Sequence, residues 1–390
     1  MQKNLLSSAI ALGVASAALA GAAFAQSNQQ ATAPEAERKI DGTVFHAQVL
    51  LDRAGFSPGV IDGQEGIGQV LTFGREPVYI RASELPTEIA DDPCWAILSA
   101  SGQLARTANQ DELLDGGQRV KHDVFTSVVK TSARTEIAAV TSLGRMLRLQ
   151  VVDMPALAPS AGIPNLTGGV PAREFITLAK GETLVALAPL NAVLAIGTAR
   201  GIVKRVSPDY PLNREDWEVI TLKDDDEVVG LAESAAAEDE LVFVTRDGKL
   251  LHFEAGAVRP QGRTAGGVAG VKLVAGDAVV FFGAVRAADE TPVVVTLARA
   301  DEVLPGMSQY SVKVTPFSEY PPKGRATGGV RAHRFLKGET GLALAWVGHG
   351  PAKAVAASGV ARALPTEHGR RDGSGVPTDQ VIDAVGPAYG

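Results

Sequence analysis

The sequence predicts an all-β chain closed into a propeller-like ring of six units. Three observations predict it: an apolar-turn-apolar unit that recurs, a glycine at the same place in each turn, and a glycine-rich element that follows most units. The unit is plainest where it stands twice in succession. Residues 193–206 read as an apolar run, a turn closed by Gly201 and a second apolar run, and residues 241–253 repeat this around Gly248. Glycine supplies the positive φ that a tight hairpin turn requires, and the flanking Val, Ile, Leu and Phe are strand formers. Each copy is therefore a β-hairpin, and repeats spaced at 20 to 50 residues point to propellers or solenoids.

Outward from this pair the same unit recurs at 94–106 around Gly102, at 137–148 around Gly144 and at 352–362 around Gly359. A sixth copy is placed at 292–314, its turn enlarged through 300–306. The second element is Leu166-Thr167-Gly168-Gly169-Val170, Gly262-Arg263-Thr264-Ala265-Gly266-Gly267-Val268, Gly324-Arg325-Ala326-Thr327-Gly328-Gly329-Val330 and Arg371-Asp372-Gly373-Ser374-Gly375-Val376. In the third unit Asn213-Arg214-Glu215-Asp216-Trp217 stands in its place. A further strand and an acidic or glycine turn follow, as at Gly276-Asp277 and Gly338-Glu339. Each unit thus supplies about four short strands, the composition of a closed ring of blades.

These motifs resemble the C-terminal domain of the A subunit of bacterial type IIA topoisomerases, DNA gyrase and topoisomerase IV. The resemblance runs from about Pro77 to Gly386 and implies a six-bladed β-pinwheel that binds and bends duplex DNA without cutting it. It implies as partners double-stranded DNA, the topoisomerase cleavage core and the ATPase B subunit, and it implies no cofactor. In the family the nucleophilic tyrosine directly follows an arginine. Tyr79, Tyr210, Tyr310, Tyr320 and Tyr389 do not, so the chain is expected to cleave nothing alone. Gyrase-type members carry a glutamine-arginine-arginine-glycine-glycine-lysine-glycine box in the first blade. Residues 115–122 read Asp115-Gly116-Gly117-Gln118-Arg119-Val120-Lys121-His122 without it, which favours the topoisomerase IV type.

The start of the chain has another character. Residues 1–25 read as a secretory signal peptide: Lys3 opens it, Leu5 to Ala20 form the apolar stretch, and Ala23-Phe24-Ala25 is a small-x-small cleavage site. Residues 26–42 are a polar linker without period. In 43–67, Phe45, Val49, Leu50 and Ala54 share one helical face before a glycine-proline loop. That segment resembles the first half of a peptidoglycan-binding module, with peptidoglycan as the partner it implies. Residues 70–390 are assigned to the ring. The leader implies export and the ring implies the cytoplasm or nucleoid.

Composition admits a large core: 390 residues, 45% hydrophobic, with 42 glycines and 22 prolines for turns. The single cysteine, Cys94, leaves no internal disulfide framework and is expected as a buried, inert thiol in a strand. An exported L,D-transpeptidase would need a cysteine closely preceded by histidine, serine and glycine. Cys94 sits instead in Asp91-Asp92-Pro93-Cys94-Trp95. His46, His122, His252, His333, His349 and His368 lack ligand spacing, and the run Asp224-Asp225-Asp226-Glu227 is expected as a solvated hairpin turn, so no metal is assigned.

The formal net charge of −7 runs against nucleic-acid binding, yet binding follows the local patch rather than the total. Arg106, Arg148, Lys204, Arg205 and Arg362 recur on the second hairpin strand, while Arg263, Lys323, Arg325, Arg331, Arg334, Arg370 and Arg371 cluster in the loops beyond. In a ring such positions repeat around one perimeter and form a curved positive track for duplex DNA. The other function classes are an exported cell-wall protein and a propeller that binds a protein partner.

Overall fold

The computed structural model describes residues 90–113, 119–158, 163–223, 225–234, 236–286, 289, 291–301 and 308–388. The signal peptide, the linker, the 43–67 segment and the expected ring start near Pro77 lie outside the described residues.

Six sheets follow one another along the chain. Blade 1 is built on Pro93–Ser99, Gln103–Arg106 and Phe125–Ser132; blade 2 on Glu136–Thr141, Arg145–Gln150 and Leu184–Pro189. Blade 3 uses Leu194–Thr198, Ile202–Val206 and Val228–Glu233, and blade 4 Glu240–Thr245, Lys249–Glu254 and Val279–Val285. Blade 5 uses Pro292–Ala300, Tyr310–Pro316 and Glu339–His349, and blade 6 Ala352–Val355, Ala361–Arg362 and Ala384–Pro387. In every blade the first two strands are an antiparallel hairpin and the third pairs with the first.

The fourth strand does not stay with the blade of its own unit. Val170–Pro171, which follows the hairpin of blade 2, pairs with the second strand of blade 1. Val268–Ala269 crosses in the same way to blade 3, Val330–Arg331 to blade 4 and Val376–Thr378 to blade 5. Asp216–Glu218, the element without the glycine pair, takes this place on blade 2. Among the described residues, units 2 to 6 therefore each give three strands to their own blade and at least one to the blade before it, while blade 6 keeps three strands. The crossing covers a strand edge that would otherwise be open to foreign pairing and ties neighbouring blades through the backbone.

The turn glycines carry this tie. Gly102, Gly144, Gly201, Gly248 and Gly359 have φ of 80°, 73°, 79°, 71° and 77°, the left-handed region that a side chain disfavours. Their carbonyls accept from the N–H of Ala172, Val219, Gly270, Ala332 and His122 at 2.7–2.9 Å. The last of these runs from the segment after the first hairpin to blade 6, and so closes the ring.

Alternation along each central strand explains why these runs are apolar throughout. Ile137 and Ala139 pack against blade 1, whereas Ala138 and Val140 pack against blade 3. Leu241 and Phe243 face blade 3 while Val242 and Val244 face blade 5. Successive side chains point to opposite faces, and here both faces are inter-blade core. Cys94 is fully buried in the first strand, and burial pushes its thiol up from the ordinary value.

The acidic turns do more than face solvent. Asp226 is buried and accepts from the N–H of Arg200 at 2.9 Å. Asp277 and Asp383 hold the hairpin turns of blades 4 and 6 in the same way, through Asp247 N at 3.0 Å and Ala357 N at 2.7 Å. The described part of the 224–227 run is thus a turn as expected, with Asp225 and Glu227 exposed, but its Asp226 is an internal acceptor.

In blade 2 the corresponding acid is Glu182. Its buried carboxylate accepts from Arg145 Nη2 at 2.6 Å, Thr141 Oγ1 at 2.5 Å and Ala179 N at 2.7 Å. The Arg145 hydrogen bond above all holds the carboxyl down to about 2, below the ordinary 4.5. A depressed carboxylate contributes stability in full above its unfolded value and loses it as pH falls toward the folded one. With Arg145 28% exposed, screening reduces the contribution to roughly 2 kcal/mol. Urea unfolding should show that loss between pH 4.5 and about 2, and Glu182→Gln should remove this acid-dependent part. Equal acid sensitivity in the variant would refute the assignment.

Candidate nucleic-acid interface

Three loops carry the basic residues beyond the hairpins: 262–267, 324–329 and 369–375, which precede the outer strands of blades 3, 4 and 5. The backbone joins them edge to edge. Ala326 N donates to Gly270 O at 2.7 Å, Lys272 N to Thr327 O at 3.0 Å, and Arg334 N to Gly373 O at 3.1 Å. Arg325 Nη1 adds a side-chain tie to Ala269 O. On the far side, Thr221 Oγ1 donates to Thr264 O at 3.1 Å.

The result is one continuous arc over three neighbouring blades. Along it Lys323, Arg325, Arg331, Arg334 and Arg370 are exposed, with Arg263 and Arg371 half-buried. Lys272, which sequence reasoning passed over, is exposed between the first two loops. Its signal was only its place four residues after Val268. Two carboxylates dilute the arc, exposed Asp372 and Glu319, whose Oε2 accepts from Arg371 N at 2.9 Å.

The opposite side of the ring has a different charge. At blade 1 the equivalent element presents Asn165 and Thr167, and at blade 2 it presents Arg214 with Glu215, Asp216 and Glu218, all exposed. The negative total and a positive edge coexist because the charges are segregated around the perimeter.

The basic residues of the second hairpin strand are not on this edge. Lys204 is fully buried and donates to Val219 O, Arg263 O and Ala265 O at 2.8, 2.6 and 2.7 Å. Arg205, 8% exposed, donates to Ala255 O, Val258 O and Ser234 O, each at 3.2 Å. Arg148 pairs with Glu136, donates to Pro211 O at 2.6 Å and lies 5.3 Å over the Trp217 ring. Arg106 is half-buried with its Nε shut off from water, and Arg362 is half-buried with Nε on Val381 O at 3.1 Å. The physical reason is the stacking of blades. The second strand is covered on both faces, so a basic side chain there must find acceptors inside, and the carbonyls of the segment after the hairpin supply them.

Swapped outer strands, six blades and basic loops gathered on one edge define a β-pinwheel. A family model described as DNA gyrase C-terminal domain, beta-propeller, matches residues 218–233, 239–286 and 311–340. The A subunit of DNA gyrase from Staphylococcus epidermidis (strain ATCC 12228 / FDA PCI 1200) is 29% identical over 226 residues, covering 56% of this chain and 23% of the relative. The Staphylococcus aureus (strain MRSA252) protein is 28% identical over 226 residues, covering 56% of this chain and 24% of its own. The chain thus spans about a quarter of the length of these relatives. Among solved structures, the C-terminal domain of DNA topoisomerase IV superposes with a TM-score of 0.57 at 21% identity, covering 76% of this chain and 94% of that one. The DNA gyrase A C-terminal domain superposes at 0.50 and 16% identity, covering 76% and 99%. The ring is thus similar in fold to the C-terminal domains of DNA topoisomerase IV and DNA gyrase A, and part of its sequence matches the DNA gyrase C-terminal domain model.

Proposed function

We propose that the ring is a non-catalytic module that binds duplex DNA along the arc of blades 3 to 5 and presents it to a topoisomerase cleavage core. The observation that carries this reading is the continuity of the arc, on which exposed cations from three successive loops follow one edge. Phosphates are the ligand that such a row of charges meets with little regard to sequence. Because the arc spans three of the six blades, it would bend a duplex around about half the ring rather than wrap it fully. The 115–122 segment without the gyrase box supports a topoisomerase IV type of guidance; residues 114–118 lie outside the described residues. Partners on this reading are DNA, the cleavage core and the ATPase B subunit.

A second reading rests on the leader and on 43–67, which make an exported cell-wall protein. Titrating the full chain with duplex DNA over a range of salt, beside sedimentation with peptidoglycan sacculi, separates the two. Salt-sensitive DNA binding without retention on sacculi is the expected result. Retention on sacculi with no DNA binding would replace this reading with the second. Mass spectrometry of the N-terminus in the producing cell settles location, since a start at Gln26 means export.

A further inference from the structure

Two lysines of the second hairpin strands occupy equivalent places and serve equivalent loops. Val203 pairs with Val268 and Val312 with Val376, so Lys204 and Lys313 stand one step beyond the same register point in blades 3 and 5. Each is buried, at 0% and 2% exposure. Lys313 Nζ donates to Ala332 O, Arg370 O, Arg371 O and Gly373 O at 2.6, 3.0, 2.8 and 2.9 Å. Lys204 does the same with the carbonyls of Val219, Arg263 and Ala265. Val219 and Ala332 are themselves equivalent, each bonded through N–H to the turn glycine of the preceding blade.

Each ammonium therefore gathers the carbonyls of one basic loop and of the neighbouring blade around a single point. A buried ammonium is costly unless its donors are met, and lysine, with three donors on a flexible stem, suits a bowl of carbonyls. Burial lowers both lysines to about 8, and the carbonyl acceptors act in the opposite direction by favouring the charged form. Both are ammoniums at neutral pH. Blade 4 supplies the contrast. Leu251 holds the same register there, opposite Phe243, and loop 324–329 is held instead by Thr327 Oγ1 on Gly324 O at 2.8 Å and by Lys323 N on His252 O at 3.1 Å.

We propose that Lys204 and Lys313 are positioning residues for the phosphate-facing loops: each draws in the carbonyls of loop 262–267 or 369–375 so that Arg263, or Arg370 and Arg371, point outward. This rests on the DNA-binding reading for its purpose, while its geometry can be tested without DNA. In the full chain, Lys204→Met should speed amide exchange in 262–268 about tenfold or more, by local opening, and leave 324–330 unchanged. Lys313→Met should do the same for 369–376 alone. Lys204→Met should also flatten the log K against log salt slope for duplex DNA by about 0.9, one phosphate, and Arg263→Ala added to it should flatten the slope no further. A lysine that merely fills the core would leave that slope untouched.

Should the Met variants not fold, Lys204→Gln and Lys313→Gln, which keep a donor for one carbonyl, take their place. Unchanged exchange, exchange that rises uniformly around the ring, or failure to fold at both positions in both forms would each overturn the proposal. An unchanged salt slope in Lys204→Met, with a slope that does fall in Arg263→Ala, would overturn the positioning role and leave the DNA reading intact. Selective loop opening in a chain whose unmodified form binds no duplex would overturn the DNA reading instead and uphold the carbonyl pin.

Discussion

Arg263, Arg325 and Arg371 replaced together by alanine should lower duplex affinity on the order of a hundredfold at about 0.15 M salt, and flatten the log K against log salt slope by roughly two to three. Each side chain lies on a different loop of the arc, and each phosphate left without its cation takes about 0.9 from the slope. The effect should depend little on DNA sequence, since backbone contacts position a duplex without reading it. Stability should change by about 1 kcal/mol at Arg325, where the tie to Ala269 O goes with the side chain, and by less at the other two. A control triple variant at Arg106, Arg148 and Arg205 should show the reverse. Arg148 and Arg205 hold carbonyls and a carboxylate inside the ring, and Arg106 is half-buried with its Nε shut off from water, so folding should suffer first. Unchanged affinity and slope in a folded loop variant would place the track elsewhere.

That contrast marks how far residues could be read from order alone. Hairpin glycines are legible because positive φ restricts residue choice and the restriction recurs at a period; the five turns at Gly102, Gly144, Gly201, Gly248 and Gly359 stand where the repeats put them. The loop cations were legible because glycine-rich segments lie on the surface. The strand cations were misplaced because register in a sequence does not say which faces a ring covers. Lys204 and Arg205 are adjacent and point to opposite faces, and both faces are buried. The crossing of each outer strand to the preceding blade left no local signal either, because a short strand such as Val330–Arg331 reads the same whichever sheet it joins. Lys272 was missed although it stands four residues after Val268, as Arg334 stands after Val330.

The packing between blades 3 and 4 yields the second large effect, in a place the repeats did not mark. Gly197 and Gly230 pair across blade 3 and together form a floor for Phe282 of blade 4. A Cβ at Gly197 would sit 2.1 Å from the Phe282 ring, and one at Gly230 would sit 2.1 Å from the Phe282 carbonyl oxygen. A ring can be pushed aside, but here it is held by Phe243 at a centroid distance of 4.8 Å. The carbonyl at Gly230 cannot move without opening the sheet, because Phe282 is registered against Phe243. Gly230→Ala should therefore cost about 3–4 kcal/mol, at the upper end of what overpacking does, and lower the urea midpoint without changing residual DNA affinity per folded molecule. Gly262→Ala is the matched control, since a Cβ there meets nothing within 4 Å; it should shift stability by no more than about 0.5 kcal/mol. A Gly230→Ala ring as stable as that control would mean that Phe282 does not fill the space between the two blades.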